Sequence, residues 1–563
     1  MVYTSLLRRR TLTSKQLFSA FLGLLFCTIF SHSAFAAGDD MSQIAQNISA
    51  STTQLPAVIA GFAYLSGLLM GITAVFKTVD HVSNPVQTPI RVPIIRFIIG
   101  GALFSLPIIT EAVITTINGG TTGGFEYNAG IVGSISGLFG IVGYVPGVGG
   151  NFNSILSSII FSTTRVPALI ATVAYLLGML ITVSALYKTR DHVEDPDRVP
   201  LKDAVIRYIT AGALLALPTT FDAMYNTING SGMGTFGTIA TILGGAGWFN
   251  STQVGTIFTG FSGCTGVVAI TADLGAVICK TLASSMALPG FLTAVAYFIG
   301  LVLGVWAILK IRDHVNNPSQ TALSEGISRL VAAGAFFALP VVTMAMAYSI
   351  TPNTVALQAI DQANTGFTGP APTCGTANSL DQAMVCFMDD ILGPSHVLLN
   401  FFCFCAGTIF IMIGISRLTK SAQEGARGPG GIGTLSTFII GGLLMSATTI
   451  LRAISSSLFT GVGISGRTAT TANLAYTGTM SAAETAAAYN VINAVLKFMI
   501  VIGMISFVRG LFIMRDVSEG SQGASTMAGM THIIGGALAV NLGPLLNAVQ
   551  TTLGITAFGV TFS

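Results

Sequence analysis

Charged residues are scarce in this chain. Asp, Glu, Lys and Arg make up 8% of it, against about 25% in an ordinary soluble domain, and that deficit excludes a soluble globular fold. Catalytic signatures are missing as well. The sequence holds no Walker A phosphate loop, no HExxH or other metal-ligand cluster and no Ser nucleophile elbow, and no paired carboxylates are expected inside a helix, so neither an enzyme nor a resident cofactor is expected. What is present is apolar: 52% of residues are hydrophobic, 65 are glycine and the mean hydropathy is +0.75. The expected class is an all-α polytopic membrane protein.

The chain is organised by a repeat. With an adjacent Asp-His pair as origin, three copies are centred on Asp80-His81, Asp191-His192 and Asp313-His314 and align without a gap. Counted from each His, a Pro lies 25 residues before (Pro56, Pro167, Pro289), a Gly 14 before (Gly67, Gly178, Gly300) and a Lys four before (Lys77, Lys188, Lys310). An Arg follows at plus 15 (Arg96, Arg207, Arg329), a Gly at plus 20 and a Pro at plus 26 (Pro107, Pro218, Pro340). Coincidences at so many fixed offsets mean a duplicated structural unit.

In each copy a run of 21 uncharged residues (56–76, 167–187, 289–309) is long enough, at about 1.5 Å per residue, to cross a hydrocarbon core of roughly 30 Å. A polar turn with an Asn-Pro or Asp-Pro step then reverses the chain. A second apolar run returns, with a small-residue pair (Gly100-Gly101, Ala211-Gly212, Ala333-Gly334) and an interior proline. The unit reads as a transmembrane helical hairpin. Two looser copies follow, 396–415 with 438–450 and 495–507 with 532–549, carrying Gly441-Gly442 and Gly535-Gly536. Five tandem hairpins, about ten helices, are expected.

The expected organisation is a signal peptide (1–36), hairpin 1 (37–118), a Gly-rich connection (119–164), hairpin 2 (165–230), a connection with a Cys pair (231–285) and hairpin 3 (286–349). A polar extracytoplasmic loop with a second Cys pair (350–392), hairpin 4 (393–459), a Thr- and Ala-rich connection (460–490) and hairpin 5 (491–563) complete it. The signal peptide is read from a basic start (Arg8, Arg9, Arg10, Lys15), an apolar stretch and Ala34-Phe35-Ala36 as an A-x-A cleavage site, the alternative being an uncleaved first helix. Of the 25 Lys and Arg, four lie in that segment and 16 lie in or beside the hairpin turns. The positive-inside rule then places every turn in the cytoplasm and every connection outside a bacterial inner membrane.

On that outer, oxidising side the cysteines are expected to form two local disulfides, Cys264 with Cys279 and Cys374 with Cys386, the alternative being four unpaired thiols. Cys403 and Cys405 lie in an apolar helix and read as packing residues. The Gly-rich connections read as amphipathic or re-entrant segments, or as surfaces buried against neighbouring chains.

The Asp-His pair is the one candidate for chemistry. Three readings stand: a turn device with Lys and Arg compensating helix carbonyls, a contact to a lipid headgroup or partner, and proton chemistry. The candidate lipid- or lumen-facing residues are Lys77, His81, Arg96, Lys188, Arg190, His192, Arg207, Lys310, Arg312, His314 and Arg329. Clustered Lys and Arg at a membrane surface attract anionic phospholipid, the expected bound small molecule. Direct nucleic-acid binding is not expected. A secondary transporter or channel would bury ionisable residues at mid-membrane, and of Glu111, Asp222 and Arg452 each sits toward the outer end of its helix.

The stretch YFIGLVLGVWAILKIRDHVNNPSQTAL (297–323), continued by SRLVAAGAFFALP (328–340), resembles the small inner-membrane proteins of type IVB (Dot/Icm-like) secretion and conjugation machines, of the DotE (IcmC), DotP (IcmD) and DotV kind. The resemblance covers the first three hairpins and extends to the last two by plan. A signal peptide followed by two apolar helices and a basic turn is also similar in form to the conjugative pilins of type IV secretion, whose hairpins stack into a tube. These resemblances imply a structural component of such an apparatus, in homo- or hetero-oligomeric contact with other subunits. Its hairpins would contribute to a transmembrane or pilus-like conduit.

Overall fold

An uncharged run of 21 residues has no reason to stop short as a helix. In a computed structural model that describes residues 48, 55–117, 152–163, 166–217, 274–285, 287–350, 379–424, 431–459, 474–475, 481–521, 523–554 and 561–562, each first arm is one long helix. Apart from the turns between them, the described elements are helices, with one two-residue antiparallel pairing of β1 (Leu474–Ala475) with β2 (Thr561–Phe562). The signal peptide, Cys264, Cys374, Glu111's side chain, Asp222 and Arg452's side chain lie outside the described residues.

The chain divides into two compact units. The first contains hairpin 1, with α1 (Leu55–Ser83), α2 (Arg91–Phe104) and α3 (Leu106–Ile117), and hairpin 2. A short helix, α4 (Phe152–Thr163), which belongs to the second unit up to Phe161, precedes hairpin 2, whose arms are α5 (Val166–Glu194) and α6 (Leu201–Leu215). Within this unit α1 packs on α2, α5 on α6, and α2 on α5. One apolar cluster joins Met70, Ile99 and Leu103 of hairpin 1 to Leu176, Met179 and Leu186 of hairpin 2.

A helix in the preceding connection, α7 (Leu274–Ala283), leads into hairpin 3, which runs out as α8 (Leu288–Asn316) and returns as α9 (Leu323–Phe337) and α10 (Leu339–Ile350). Its turn region, Val305–Gly326, belongs to the first unit and its other described residues to the second. The second unit also contains hairpins 4 and 5. Hairpin 4 comprises α11 (Leu380–Glu424), α12 (Gly431–Met445) and α13 (Ala447–Leu458). Hairpin 5 comprises α14 (Ala482–Ser518), α15 (Thr526–Val540) and α16 (Leu542–Leu553). Here α10 packs on α12, α11 on α12 and α14, α12 on α14, and α14 on α15. Inside each unit, consecutive hairpins are therefore neighbours.

The second arms, expected as single apolar runs with an interior proline, are broken helices. Each breaks after 14 or 15 residues, about 22 Å of helix and less than a hydrocarbon core. In hairpins 3, 4 and 5 the next helix leaves at 87°, 80° and 85°. Proline explains part of this, since it lacks an N–H and disfavours helix at the residue before it. Pro340 follows the break in hairpin 3 and Pro544 the break in hairpin 5, but the break at Ser446 has no proline near it, so packing also holds the bend. The resumed α13 buries Ala447, Leu451 and Ser455 along one stripe and exposes Ser456 and Ser457. Among the described residues, five helices are long and apolar enough to cross a membrane, or up to eight if each bent pair counts as one span.

The connections are also more helical than expected at their C-terminal ends. The loop assigned to 350–392 is already helix from Leu380, and α14 starts inside the segment assigned to 460–490 with a capping box between Ser481 and Glu484. The longer helices carry the chain past the apolar span and supply polar contacts that apolar runs alone lack.

Candidate functional site

Two layers recur in every hairpin, a helix crossing and a basic turn. At the crossing, a Gly on the first arm faces a small residue 33 or 34 positions later: Gly67 with Gly100, Gly178 with Ala211, Gly300 with Ala333, Gly407 with Gly441 and Gly503 with Gly536. A Cβ on Gly67 would lie 2.7 Å from the Gly100 carbonyl oxygen, and one on Gly536 would lie 2.6 Å from the Gly503 carbonyl oxygen. Small residues let the backbones meet where lipid supplies no hydrophobic drive. Five residues beyond each contact comes the break, at Ser105, Ala216, Ala338, Ser446 and Asn541, whose N–H still donates to the carbonyl four residues back. The fourth and fifth hairpins, which lack Asp-His, thus keep the same internal geometry.

The turns answer the question posed by the Asp-His pairs. The His81 Nδ1 lies 2.7 Å from the Thr88 carbonyl oxygen, the His192 Nδ1 2.6 Å from that of Val199 and the His314 Nδ1 2.6 Å from that of Thr321. A carbonyl only accepts, so in each case the ring donates from Nδ1. The bond reaches seven residues ahead and closes the polar turn. Each carboxylate goes elsewhere: Lys77 pairs with Asp80 at 3.0 Å, Arg190 with Asp191 at 2.8 Å and Arg312 with Asp313 at 2.9 Å. Ring and carboxylate thus have separate partners, the arrangement of a turn closure.

We predict that replacing His81, His192 and His314 together by Ala loosens the turns by about 1 kcal/mol each while leaving membrane insertion intact. Proteolysis of membrane-inserted protein measures this. Faster cleavage confined to 84–90, 195–200 and 317–322 is expected, and an unchanged pattern would sink the closure role.

Most of the candidate cations are already engaged. Arg96 donates from Nε to Glu194 at 2.6 Å, Arg190 approaches the same carboxylate at 3.8 Å, and Lys310 pairs with Glu325 at 3.3 Å. The Arg190 guanidinium also lies 5.9 Å from the centre of the Tyr187 ring. Arg207 donates to the Ser184 hydroxyl, Arg329 is buried and Lys188 is half-buried. Among the described residues, the exposed cations beside the turns are instead Arg91, Arg198, Lys202 and Arg509.

Two carboxylates that sequence reasoning passed over tie neighbouring hairpins together. Glu194 gathers Arg96 from hairpin 1 and Arg190 from its own helix; Glu519 gathers Arg417 from hairpin 4 at 2.9 Å and Arg515 from its own helix at 2.8 Å. Glu194 and Glu519 each stand 16 residues after the crossing glycine of their hairpin, and Arg190 and Arg515 each stand 12 after it. That shared register was the available sign.

A second group was missed near the other end of hairpins 4 and 5. Asp389 and Asp390 are adjacent in α11, which corrects the expectation that no paired carboxylates occur within a helix. Asp390 accepts from the Gly275 N–H at 2.8 Å. Asp389 pairs with Lys497, and their side chains are 11% and 4% exposed. Asp381, one helix stretch earlier, accepts from Asn490 at 2.8 Å. The signal was hidden because 350–392 reads as a loop, where an Asp-Asp pair is unremarked.

Cys279 and Cys386 are each disulfide-bonded. Their expected partners, Cys264 and Cys374, lie outside the described residues. Cys403 and Cys405 are buried free thiols within α11.

Comparison with protein-family models, with curated proteins and with solved structures finds no match to this chain. What it is therefore rests on its own residues: among the described residues, five apolar helices of membrane-spanning length, each crossed at a glycine by a shorter return helix in matching register.

Proposed function

We propose that the protein is a structural membrane component of a type IVB secretion or conjugation apparatus. Five tandem transmembrane hairpins, about ten helices with each bent second arm counted once, contribute to a transmembrane or pilus-like conduit. The observation that carries this reading is the recurrence of one hairpin geometry five times, with consecutive hairpins packed side by side inside each unit. Such a row is a building element. The Lys-x-Arg-Asp-His-x-x-Asn-Pro turn at 310–318 adds the resemblance to inner-membrane proteins of those machines. Its role as a turn closure fits a scaffold.

In this reading the turns face the cytoplasm and the connections the periplasm, behind a signal peptide. The pairs Cys264–Cys279 and Cys374–Cys386 would staple the outer side. Anionic phospholipid headgroups would meet the exposed Arg91, Arg198 and Lys202 rather than the paired arginines.

A secondary transporter or channel is the second reading. The buried Lys497–Asp389 pair favours it, since ionisable groups among membrane helices often mark a transport path. Native purification of a tagged chain from its own membranes, followed by electron microscopy, separates the two. Co-purifying apparatus subunits and hairpins arrayed around an axis are expected, together with loss of protein or DNA transfer in a deletion strain. A solitary bundle with a polar cavity, and unimpaired transfer, would overturn the structural reading.

A further inference from the structure

The repeat allows a position-by-position comparison of what covers each hairpin. Aligned on the crossing glycines, Leu65, Leu68 and Val75 of α1 correspond to Leu176, Met179 and Leu186 of α5. In hairpin 2 this stripe is 8%, 3% and 6% exposed, packed in one cluster with Met70, Ile99 and Leu103 of hairpin 1. In hairpin 4 the corresponding Cys405, Thr408 and Ile415 are buried, and Cys405 and Ile415 pack with Ala332 and Phe336 of hairpin 3. In hairpin 5 the corresponding Met504 and Leu511 are buried against Ile440 and Leu444 of hairpin 4. In hairpin 1 the stripe is open: Leu65, Leu68 and Val75 are 56%, 47% and 53% exposed.

Hairpin 5 is open in the complementary sense. The residue just before the second-arm contact is buried in four hairpins, as Ile99, Thr210, Ala332 and Ile440. In hairpin 5 it is Gly535, which is exposed, and a Cβ placed there would have nothing within 4 Å.

We infer that α1 is a docking surface for α15 of a second copy of this chain, so that copies join head to tail by repeating the contact already made between their own consecutive hairpins. The type of contact made between consecutive hairpins inside each unit is then used again from chain to chain. An interface of this kind joins unlike faces and propagates into a ring or a filament. Ser83 stands where hairpins 2 and 5 carry Glu194 and Glu519, so the contact between copies lacks the Arg–Glu clamp that those two hairpins make. The inference deepens the structural reading above and rests on it for the membrane setting, and transfer activity is scored separately so that either can fail alone.

The test is oxidative cross-linking in native membranes. Met179 with Ile99, and Met504 with Ile440, share a cluster at the internal contacts, so Leu68→Cys on one tagged chain and Gly535→Cys on a differently tagged chain should form a mixed dimer. A chain carrying both substitutions should give a ladder. Ile98→Cys, on another exposed face of hairpin 1, is the control in place of Leu68→Cys. Absence of a mixed product from normally inserted protein would mean that lipid covers α1, and dimers of the Leu68→Cys chain alone would mean a like-with-like contact; either overturns the inference. Leu68→Trp offers a second measurement, because an exposed side chain can enlarge without disturbing the fold. Loss of the multi-chain band on native gels is expected, and its persistence would also overturn the inference. A ladder together with normal transfer would leave it standing and remove the proposed function.

Discussion

Gly536→Ala should destabilise the protein while Gly535→Ala, one residue away, should not. A Cβ on Gly536 would sit 2.6 Å from the Gly503 carbonyl oxygen and 2.7 Å from the Phe507 nitrogen, both backbone atoms. Backbone cannot swing aside as a flexible side chain can, so α14 and α15 must separate or shift. Overpacking of this kind costs about 1–3 kcal/mol. At Gly535 the new methyl meets nothing within 4 Å, and the helix gains up to about 1 kcal/mol from replacing glycine. The two variants should thus move thermal stability in opposite directions. Unfolding of detergent-extracted protein, followed by loss of its monodisperse elution peak on heating, reads the sign. Equal shifts in the same direction would mean that the crossing is not a backbone contact. Hairpin 1 offers the mirror case, where a Cβ on Gly100 would lie 3.1 Å from the Gly67 oxygen and one on Gly101 would meet nothing within 4 Å.

Lys497→Met should be the most damaging single substitution among the polar contacts. It removes the cation that faces Asp389 between α11 and α14, where the lysine side chain is 4% exposed and the carboxylate 11%. Breaking a buried pair from one side leaves an uncompensated charge and costs about 3–5 kcal/mol. The pair as a whole is another matter, because both ions lost their hydration to form it. Lys497→Met combined with Asp389→Leu should therefore recover most of the stability. A double-mutant cycle on thermal unfolding measures the coupling. If the double variant is as unstable as the sum of its parts, the two side chains do not depend on one another.

How much of this was legible beforehand follows from the physics of each feature. The first arms were legible because a charge-free run of 21 residues admits one reading in a membrane. The turns were legible because Asp-His and Asn-Pro recur at fixed offsets, although the sequence left three roles open for the histidine. A bond from Nδ1 to a carbonyl seven residues on depends on the path of the turn, and composition carries no trace of it. The small-residue pairs were visible as pairs, but not which member makes the contact: Gly100 is the first of its pair, Gly536 the second of its own.

The right-angle breaks in the second arms were not legible for a definable reason. An apolar helix and an apolar helix broken at a right angle have the same hydropathy, and proline marks only some of the breaks. The Asp389–Lys497 pair escaped for another reason, since its members are 108 residues apart and one stood in a stretch that reads as a loop. Glu194 and Glu519 looked like ordinary turn residues until their arginine partners came from a different hairpin.

The sequence by itself determined the membrane class, the fivefold repeat, the first arms and the position of each turn. Those properties follow from transfer of apolar residues out of water and from local steric rules, both of which act along the chain. Only the tertiary structure decided which glycine touches which, where the second arms bend, which arginines are neutralised and which hairpin faces stay open. Those depend on contacts between segments far apart in sequence, and a repeat repeats its residues without saying which of its surfaces will find a neighbour.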